Sequence, residues 1–232
     1  ICADAKDFIQ GLDGNINYEC NNKNWHNYCK KVKHNYKYKK GKEKDTSLLS
    51  PEYFLDKLSQ ITPTETIFIG DTGANLVYLF NGLKEKFGQK FISAFNNTPM
   101  GFALPASIGT ALANKNKRII CCTGDGGLQM NIQELATIAY YKLPITIFVF
   151  NNSGHGMIKQ TQDDWFESKY DASSHENGIP KLNFTDIANA YKIKSIRIIN
   201  NEQIESLLPT MTFDQPMLVE LILDERLRIN PM

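Results

Sequence analysis

From about residue 50 onward, short apolar runs alternate with segments in which apolar residues recur at helical spacing. The runs are apolar throughout and do not alternate with polar positions, a pattern that is typical of strands buried on both faces of a sheet. They lie at residues 66–69, 90–94, 118–123, 145–150, 195–199 and 217–223. The segments between or beside them predict helices over 51–61, 75–87, 101–114, 128–141, 183–191 and 202–211.

This alternation of strands and helices predicts an α/β fold. We expect a doubly wound, mostly parallel six-stranded sheet with helices on both faces, since strand–helix–strand units place their connections across a sheet in this way. Ser50 followed by Pro51 is a typical helix start, with serine as N-cap and proline in the first turn.

Residues 1–47 differ from the rest of the chain, being rich in Asn, Lys and Tyr and poor in Val and Leu. The stretch 25–45 mixes lysines with aromatics, which suits either a nucleic-acid patch or a solvated helix and linker. We favour the helix and linker, because basic nucleic-acid domains usually carry charge in the core fold as well. We therefore predict a boundary between a first segment, 1–47, and a domain over 48–232.

Composition narrows the function classes. Of the 232 residues, 42% are hydrophobic and 22% charged, and the formal net charge of +1 gives no support for nucleic acid or an anionic membrane as a partner. No apolar run approaches the roughly 20 residues that span a bilayer, and the N-terminus lacks the layout of a signal peptide. Five cysteines without disulfide-framework spacing predict a reducing compartment, and we expect the cytoplasm.

Two polar clusters follow neighbouring apolar runs: Gly124-Asp125-Gly126 after 118–123, and Asn151-Asn152 after 145–150. Because the carboxyl ends of parallel strands share one edge of the sheet, where ligands bind, we expect the clusters to be neighbours in space. Carboxylate and amide oxygens suit Mg²⁺, and glycine amides that open a helix suit phosphate. The sequence therefore predicts a site for Mg²⁺ and a diphosphate, which a carbonyl in the next turn can complete.

The flanking residues carry a family resemblance. The stretches MGFALPASIG (100–109), GDGGLQMNIQELATIAYYKLPI (124–145) and NNSGHGMIKQTQ (151–162) resemble thiamine diphosphate enzymes of the acetolactate synthase (acetohydroxyacid synthase) branch. DAKDFIQGL (4–12) is similar to the end of that family's central domain, and WHNYCKKVK (25–33) to its linker. The resemblance implies that this chain is the C-terminal, diphosphate-binding third of a longer protein.

The resemblance also implies roles for individual residues. Asp125, Asn152 and the carbonyl of Gly154 would bind the metal. Met100 would have a catalytic role, because it would hold the cofactor in the bent conformation that brings its pyrimidine amine to the thiazolium carbon. The residues that would bind the cofactor are Gly73, Ala74, Asn75, Thr98, Met100, Gly124, Gly126, Gly127, Asn152, Gly154, His155, Gly156 and Met157.

For the whole protein, the resemblance implies a carboligase or decarboxylase that uses thiamine diphosphate and Mg²⁺ on a 2-oxo acid such as pyruvate. It implies a homo-oligomer, a dimer or tetramer, in which the N-terminal domain of a second subunit supplies a glutamate to the cofactor. We expect this chain alone to be inactive. Thr161 stands where acetohydroxyacid synthases have a Trp, so another acceptor, such as a sugar, is an alternative. A non-catalytic binding protein that has kept the fold is a separate alternative.

A dinucleotide-binding oxidoreductase is disfavoured, since no G-x-G-x-x-G follows a strand. Several polar residues have competing interpretations. Asp71 is expected to cap the entry to a helix rather than to act in catalysis, and Glu134 to have a structural role. Asn75 is interpreted either as a helix N-cap or as a cofactor ligand. His155 is interpreted either as a solvent-facing side chain or as a catalytic one.

Overall fold

The computed structural model describes residues 4–12, 22–36 and 48–229. The chain divides into two units, Ile1–Tyr38 and Lys39–Met232. The first contains helices α1 (Ala5–Leu12) and α2 (Lys23–Tyr36). The boundary predicted after residue 47 lies outside the described residues and stays a prediction.

The second unit alternates strands with helices along most of its length. Its elements are α3 (Pro51–Ile61), β1 (Thr66–Gly70), α4 (Ala74–Gly82), β2 (Lys90–Ile92), α5 (Ala103–Ala113), β3 (Arg118–Gly124), α6 (Asp125–Met130), α7 (Leu135–Tyr141), β4 (Ile145–Asn151), α8 (Gly156–Trp165), α9 (Phe184–Ala190), β5 (Lys194–Ile198), α10 (Asn201–Leu207) and β6 (Met217–Ile222).

The six strands form one sheet in the order β2-β1-β3-β4-β6-β5, and every neighbouring pair is parallel. The predicted α/β fold with a six-stranded parallel sheet is confirmed. From β1 the chain first adds β2 on one side and then β3 on the other. In open α/β sheets such a reversal of winding direction leaves a crevice at the carboxyl ends of the two strands, and ligands bind there.

Successive residues of the buried strands feed two separate cores. In β3, Ile120 and Cys122 belong to the core that α3, α4 and α10 cover, whereas Ile119 and Cys121 belong to the core that α5, α7 and α9 cover. This follows from the two-residue period of a strand. Both faces of the sheet are therefore covered by helices, as predicted.

The start of α3 agrees with the sequence. Ser50 is the N-cap, its side chain accepts a hydrogen bond from the amide of Tyr53 at 3.2 Å, and Pro51 occupies the first turn. The helix predicted over 75–87 is shorter than expected and ends at Gly82. Beyond it the backbone of Leu83 is extended, and the amide of Lys84 donates to Ser59 Oγ at 2.8 Å, which turns the chain away from the helix axis.

The prediction of a single helix over 128–141 is wrong. This part of the chain forms two helices, α6 and α7, separated by Asn131 and a 3₁₀ turn, Ile132–Glu134. Asn131 leaves the helical conformation at φ −137°, and its Nδ2 donates to the carbonyl of Gly101 at 2.8 Å. The periodicity of apolar residues continues through the break, so it could not reveal this contact with a residue thirty positions away.

No helix among the described residues is long and apolar enough to cross a membrane. Cys29, Cys121 and Cys122 are free thiols. Burial raises the pKa of the Cys121 thiol to about 12, as expected for a small apolar core residue. The cytoplasmic location stays a prediction.

Candidate functional site

A cavity of about 400 Å³ opens at the carboxyl ends of β1, β3 and β4. All fourteen residues that the sequence predicts to hold the cofactor or the metal line it. They come from three segments that follow these strands, together with Thr98 and Met100 in the loop before α5. The structure thus brings the predicted residues together, while their individual roles stay predictions.

The two polar clusters are in direct contact. Asp125 Oδ2 accepts a hydrogen bond from the amide of Gly154 at 3.0 Å, and its Oδ1 accepts one from the amide of Gly126 at 2.9 Å. Asp125 is only 6% exposed. Burial, partly offset by these hydrogen bonds, raises the pKa of its carboxyl to about 6. A hard cation placed here would relieve that desolvation.

The turn after β4 is held from outside the cavity. Gly154 forms an isolated antiparallel bridge with Ser174, and the amide of His155 donates to the carbonyl of Ser173 at 2.9 Å. Within the turn, Ser153 has a φ of +55°, a region that non-glycine residues rarely occupy. Asn152, 7% exposed, lines the cavity. The segment beyond this turn is helix α8, which the sequence analysis did not predict.

The loop after β1 supplies the third segment. Gly73 is the N-cap of α4 with a φ of +83°, so Asn75 is not the cap that one interpretation made it. Asn75 is buried, and its Nδ2 donates to the carbonyl of Thr72. This leaves Oδ1 as a buried acceptor without a partner in the described structure. Since such an atom normally finds a donor, it fits a site that a ligand completes.

Asp71, directly after β1, organises the loops around the cavity. Its carboxylate accepts hydrogen bonds from the amides of Thr72, Gly101 and Ala103 and from the hydroxyl of Thr123, at 2.8 to 3.2 Å. It therefore acts as a cap, as expected, but mainly for the start of α5 rather than for the helix that follows it in sequence. Only 2% of Asp71 is exposed, which agrees with a structural role.

Side chains approach two glycines of α6 closely. A Cβ atom on Gly126 would lie 2.7 Å from His155 Cε1 and 3.1 Å from Met100 Cε. A Cβ atom on Gly127 would lie 2.7 Å from Thr123 Oγ1 and 3.1 Å from Asp71 Cγ. Gly126 thus gives the cavity room between Met100 and His155, whereas Gly127 gives the Asp71 carboxylate room to reach its partners.

The loop that carries Thr98 and Met100 is strained. Thr98 has a φ of +40°, which is unusual for a β-branched residue. Met100 is 40% exposed and lines the cavity. The side chain of His155 also lines it, while Glu134 is not among its lining residues and instead accepts a hydrogen bond from the hydroxyl of Thr137 at 3.0 Å.

Five further residues line the cavity and were not predicted from the sequence: Thr72, Tyr78, Phe150, Ile158 and Leu223. Tyr78 lies one helical turn after Asn75, so the helical period could have pointed to it. Its buried hydroxyl has no partner among the described residues, and burial raises its pKa. Thr161, named as the departure from the family pattern, also lines the cavity.

The predicted ligands fit a cation that is coordinated partly by the protein and partly by phosphate oxygens. No group of three or more His, Cys, Asp or Glu side chains that could bind a metal occurs within the described part of the chain. The predicted ligands are instead one carboxylate, one amide oxygen and one backbone carbonyl. Mg²⁺ is typically held by one or two carboxylates together with substrate phosphates. The residues present therefore fit a Mg²⁺ ion that a diphosphate accompanies.

Comparison with known proteins agrees with this geometry. Residues 71–221 match the family model described as thiamine pyrophosphate enzyme, C-terminal TPP binding domain. The chain therefore belongs to the thiamine diphosphate enzymes, and its matched region is their C-terminal cofactor-binding domain.

Within that family, the chain is similar to acetolactate synthase large subunits. It is 36% identical to the one from Cyanidium caldarium over 81% of this chain and 32% of the relative. It is 30% identical to the one from Lactococcus lactis over 79% of this chain and 32% of the relative, and 27% identical to isozyme 2 from Escherichia coli over 91% and 38%. The chain thus spans about a third of the length of these relatives.

We expect Gly127→Ala to lower the free energy of unfolding by about 1–3 kcal/mol, because the added methyl would overpack the Asp71 carboxylate. Gly109→Ala is the matched control, since Gly109 lies in α5 with open space where its Cβ would be. It should leave stability unchanged or raise it by up to about 1 kcal/mol through helix propensity. Urea unfolding measures both, and equal effects would contradict the packing argument.

The metal-free protein should lose stability as the pH rises from about 4 to above 6. The pKa of the Asp125 carboxyl is its ordinary 3.8 in the unfolded chain but about 6 in the folded protein, so the folded state holds an extra proton between these pH values. The loss should reach about 3 kcal/mol. The difference in unfolding free energy between wild type and Asp125→Asn isolates this contribution. A difference that stays constant from pH 4 to 7 would disprove it.

Proposed function

We propose that this chain is the diphosphate-binding part of a carboligase or decarboxylase that uses thiamine diphosphate and Mg²⁺ on a 2-oxo acid such as pyruvate. The observation that carries the proposal is the contact between Asp125 and the amide of Gly154, which joins the two predicted ligand segments within one cavity. Family membership and the similarity to acetolactate synthase large subunits support it.

In this proposal Asp125 Oδ1 or Oδ2, the Asn152 side-chain oxygen and the Gly154 carbonyl bind Mg²⁺. Backbone amides at the starts of α4 and α8, with those of Gly126 and Gly127, bind the diphosphate. Met100, in the loop before α5 and with its side chain beside Gly126, supports the cofactor in its bent conformation. When bound, the cofactor supplies the nucleophilic carbon and electron sink that allow a 2-oxo acid to release CO₂.

The whole enzyme would contain more than this chain. We propose that the N-terminal domain of a second subunit closes the cavity and supplies an acidic side chain to the cofactor, in a dimer or tetramer. Because that domain lies outside the chain, the chain alone would be inactive, although it would retain the metal and diphosphate ligands.

The test is a calorimetric titration of the complete protein with thiamine diphosphate, with and without Mg²⁺. We expect Mg²⁺-dependent binding that Asp125→Asn weakens at least about tenfold, since a charged ligand is lost. Asp171→Asn, at an exposed residue outside the cavity lining, is the control and should bind as wild type does. Unchanged affinity in Asp125→Asn would refute the metal assignment, and no binding by wild type would favour a non-catalytic module.

A different acceptor, such as a sugar, is the second candidate, and Thr161 is the observation that favours it. Its side chain lines the cavity and its hydroxyl donates to the Met157 carbonyl at 3.0 Å, so a short side chain leaves space where a Trp would fill it. An enzyme limited to small acceptors would have no need for this space.

We expect Thr161→Trp to lower kcat/KM for sugar-sized acceptors by about tenfold or more while leaving pyruvate as acceptor nearly unaffected, because the indole would occupy the open region. CO₂ release from pyruvate with a panel of aldehydes and ketones measures this. Thr161→Ser keeps the space and should behave as wild type. A Trp variant that accepts large and small carbonyls in the wild-type ratio would exclude Thr161 from acceptor selection.

A further inference from the structure

Strand β6, which lies between β4 and the edge strand β5, carries a buried carboxylate. Glu220 is 0% exposed, and its neighbours along the strand are apolar. A buried charge is costly unless it is paired and hydrogen-bonded. Arg197, in the edge strand β5, supplies the pairing charge, since its Nε donates to Glu220 Oε2 at 2.9 Å. The ion pair explains how the charge is tolerated, but it leaves the other carboxylate oxygen to be accounted for.

That second oxygen points toward the metal-binding turn. Glu220 Oε1 accepts a hydrogen bond from Asn151 Nδ2 at 2.7 Å and a longer one from the amide of Phe184 at 3.4 Å. Asn151 ends β4 and is 6% exposed, and it is not among the residues that line the cavity. Of the two adjacent asparagines, Asn152 therefore faces the cavity and Asn151 faces the interior of the sheet.

Glu220 determines which way the Asn151 amide points. Only the amino group of an asparagine can donate to a carboxylate, so the Asn151 carbonyl oxygen must face the other way. It does so, and accepts a hydrogen bond from the amide of Ser153 at 3.0 Å. This bond closes the turn in which Ser153 has its unfavourable φ of +55°. The residues on either side of Ser153 are Asn152 and Gly154, the two proposed metal ligands of the turn.

We propose that Glu220 is a positioning residue, which fixes the Asn151 amide and through it the turn that presents Asn152 and Gly154 to the metal. The inference rests on the proposed function. The chain of contacts runs from Arg197 through Glu220 and Asn151 to the Ser153 amide, and each link is a direct hydrogen bond. Outer partners of this kind commonly tune metal affinity, because they orient the ligands.

Exchanging the acid and the amide provides the test. In Glu220→Gln, the carboxamide oxygen would face the Arg197 guanidinium, so its amino group would face Asn151 Nδ2 and drive that amide to flip. In Asn151→Asp, two carboxylates would face each other. In the double variant Glu220→Gln/Asn151→Asp, the donors between these two side chains and the turn again meet acceptors: the new carboxylate accepts both from the new amide and from the Ser153 amide. Only the long hydrogen bond from the Phe184 amide, 3.4 Å in the wild type, is not restored.

The first measurement needs neither cofactor nor metal. Hydrogen exchange of the Ser153 amide in the ligand-free complete protein should speed up about tenfold or more in each single variant and return close to the wild-type rate in the double variant. Glu205→Gln, which breaks the surface ion pair of Glu205 with Lys57, is the control and should leave this exchange unchanged.

The second measurement is the Mg²⁺ concentration that half-saturates thiamine diphosphate binding. It should rise about tenfold or more in the single variants and recover in the double variant, at a temperature at which thermal unfolding shows all of them folded. Single variants that melt earlier yet bind Mg²⁺ as wild type does would show that Glu220 only stabilises the sheet. If the single variants do not fold, a folded double variant with weak Mg²⁺ binding overturns the proposal.

The two proposals fail in different ways. If wild type binds no thiamine diphosphate, the proposed function is wrong and the positioning role falls with it. If wild type binds but the Ser153 amide exchanges at the same rate in wild type and Glu220→Gln, only the positioning role is wrong.

Discussion

The buried carboxylate of Asp71 is the interaction on which the cavity most depends. It stands at the end of β1 and gathers three backbone amides and one hydroxyl, from its own loop, from the start of α5 and from the end of β3. The three amides would otherwise be unpaired polar groups near the interior, and each is part of a segment that borders the cavity. Together with the hydrogen bond from Asn131 to the Gly101 carbonyl, the carboxylate fixes the loop that carries Thr98 and Met100 relative to α6. The glycine at position 127 follows from the same constraint, because a Cβ atom there would lie 2.7 Å from the Thr123 hydroxyl that donates to Asp71 and 3.1 Å from Asp71 Cγ.

A second constraint is the parallel order of the sheet. Since all six strands run in one direction, the segments after β1, β3 and β4 reach the same edge, and the reversal of winding between β1 and β3 opens a crevice there. The contact between Asp125 and the Gly154 amide is the direct result, because it joins the ends of adjacent strands. The same parallel pairing brings Glu220 to Asn151. Glu220 lies opposite Val149 in the pairing of β6 with β4, so its side chain can accept a hydrogen bond from Asn151 at the end of β4.

Much of this could be predicted from the sequence. The uninterrupted apolar runs predicted the strands, and the polar residues directly after them predicted the clusters Gly124-Asp125-Gly126 and Asn151-Asn152, because a residue's position after a strand fixes which edge of the sheet it occupies. The other predicted ligands, such as Gly127 and Gly154 to Met157, came from the family resemblance. What the sequence did not reveal depends on contacts between distant residues. The break at Asn131 comes from a hydrogen bond to Gly101, and the role of Asp71 as a cap for α5 depends on a loop thirty residues away. Glu220 did leave a signal, as the one charged residue in an apolar run, but its partner at Asn151 required the strand order.

The electrostatics of the cavity explain why, under the proposed function, cation and diphosphate would bind as a pair. Mg²⁺ alone would meet one desolvated carboxylate and two neutral oxygens, a weak set for a strongly hydrated ion. A diphosphate alone would meet Asp125 as a like charge, with only backbone amides to offset the repulsion. Bound Mg²⁺ would remove the repulsion between Asp125 and the diphosphate, and the bound diphosphate would supply the ligands that Mg²⁺ lacks. Binding of one must therefore strengthen binding of the other, and by the same factor in both directions. The raised pKa of Asp125 belongs to this coupling, since it reflects the burial of the carboxylate, a cost that a bound cation would relieve. A site with a single buried carboxylate is therefore suited to recognising the metal and the diphosphate together, and to releasing both when either is lost.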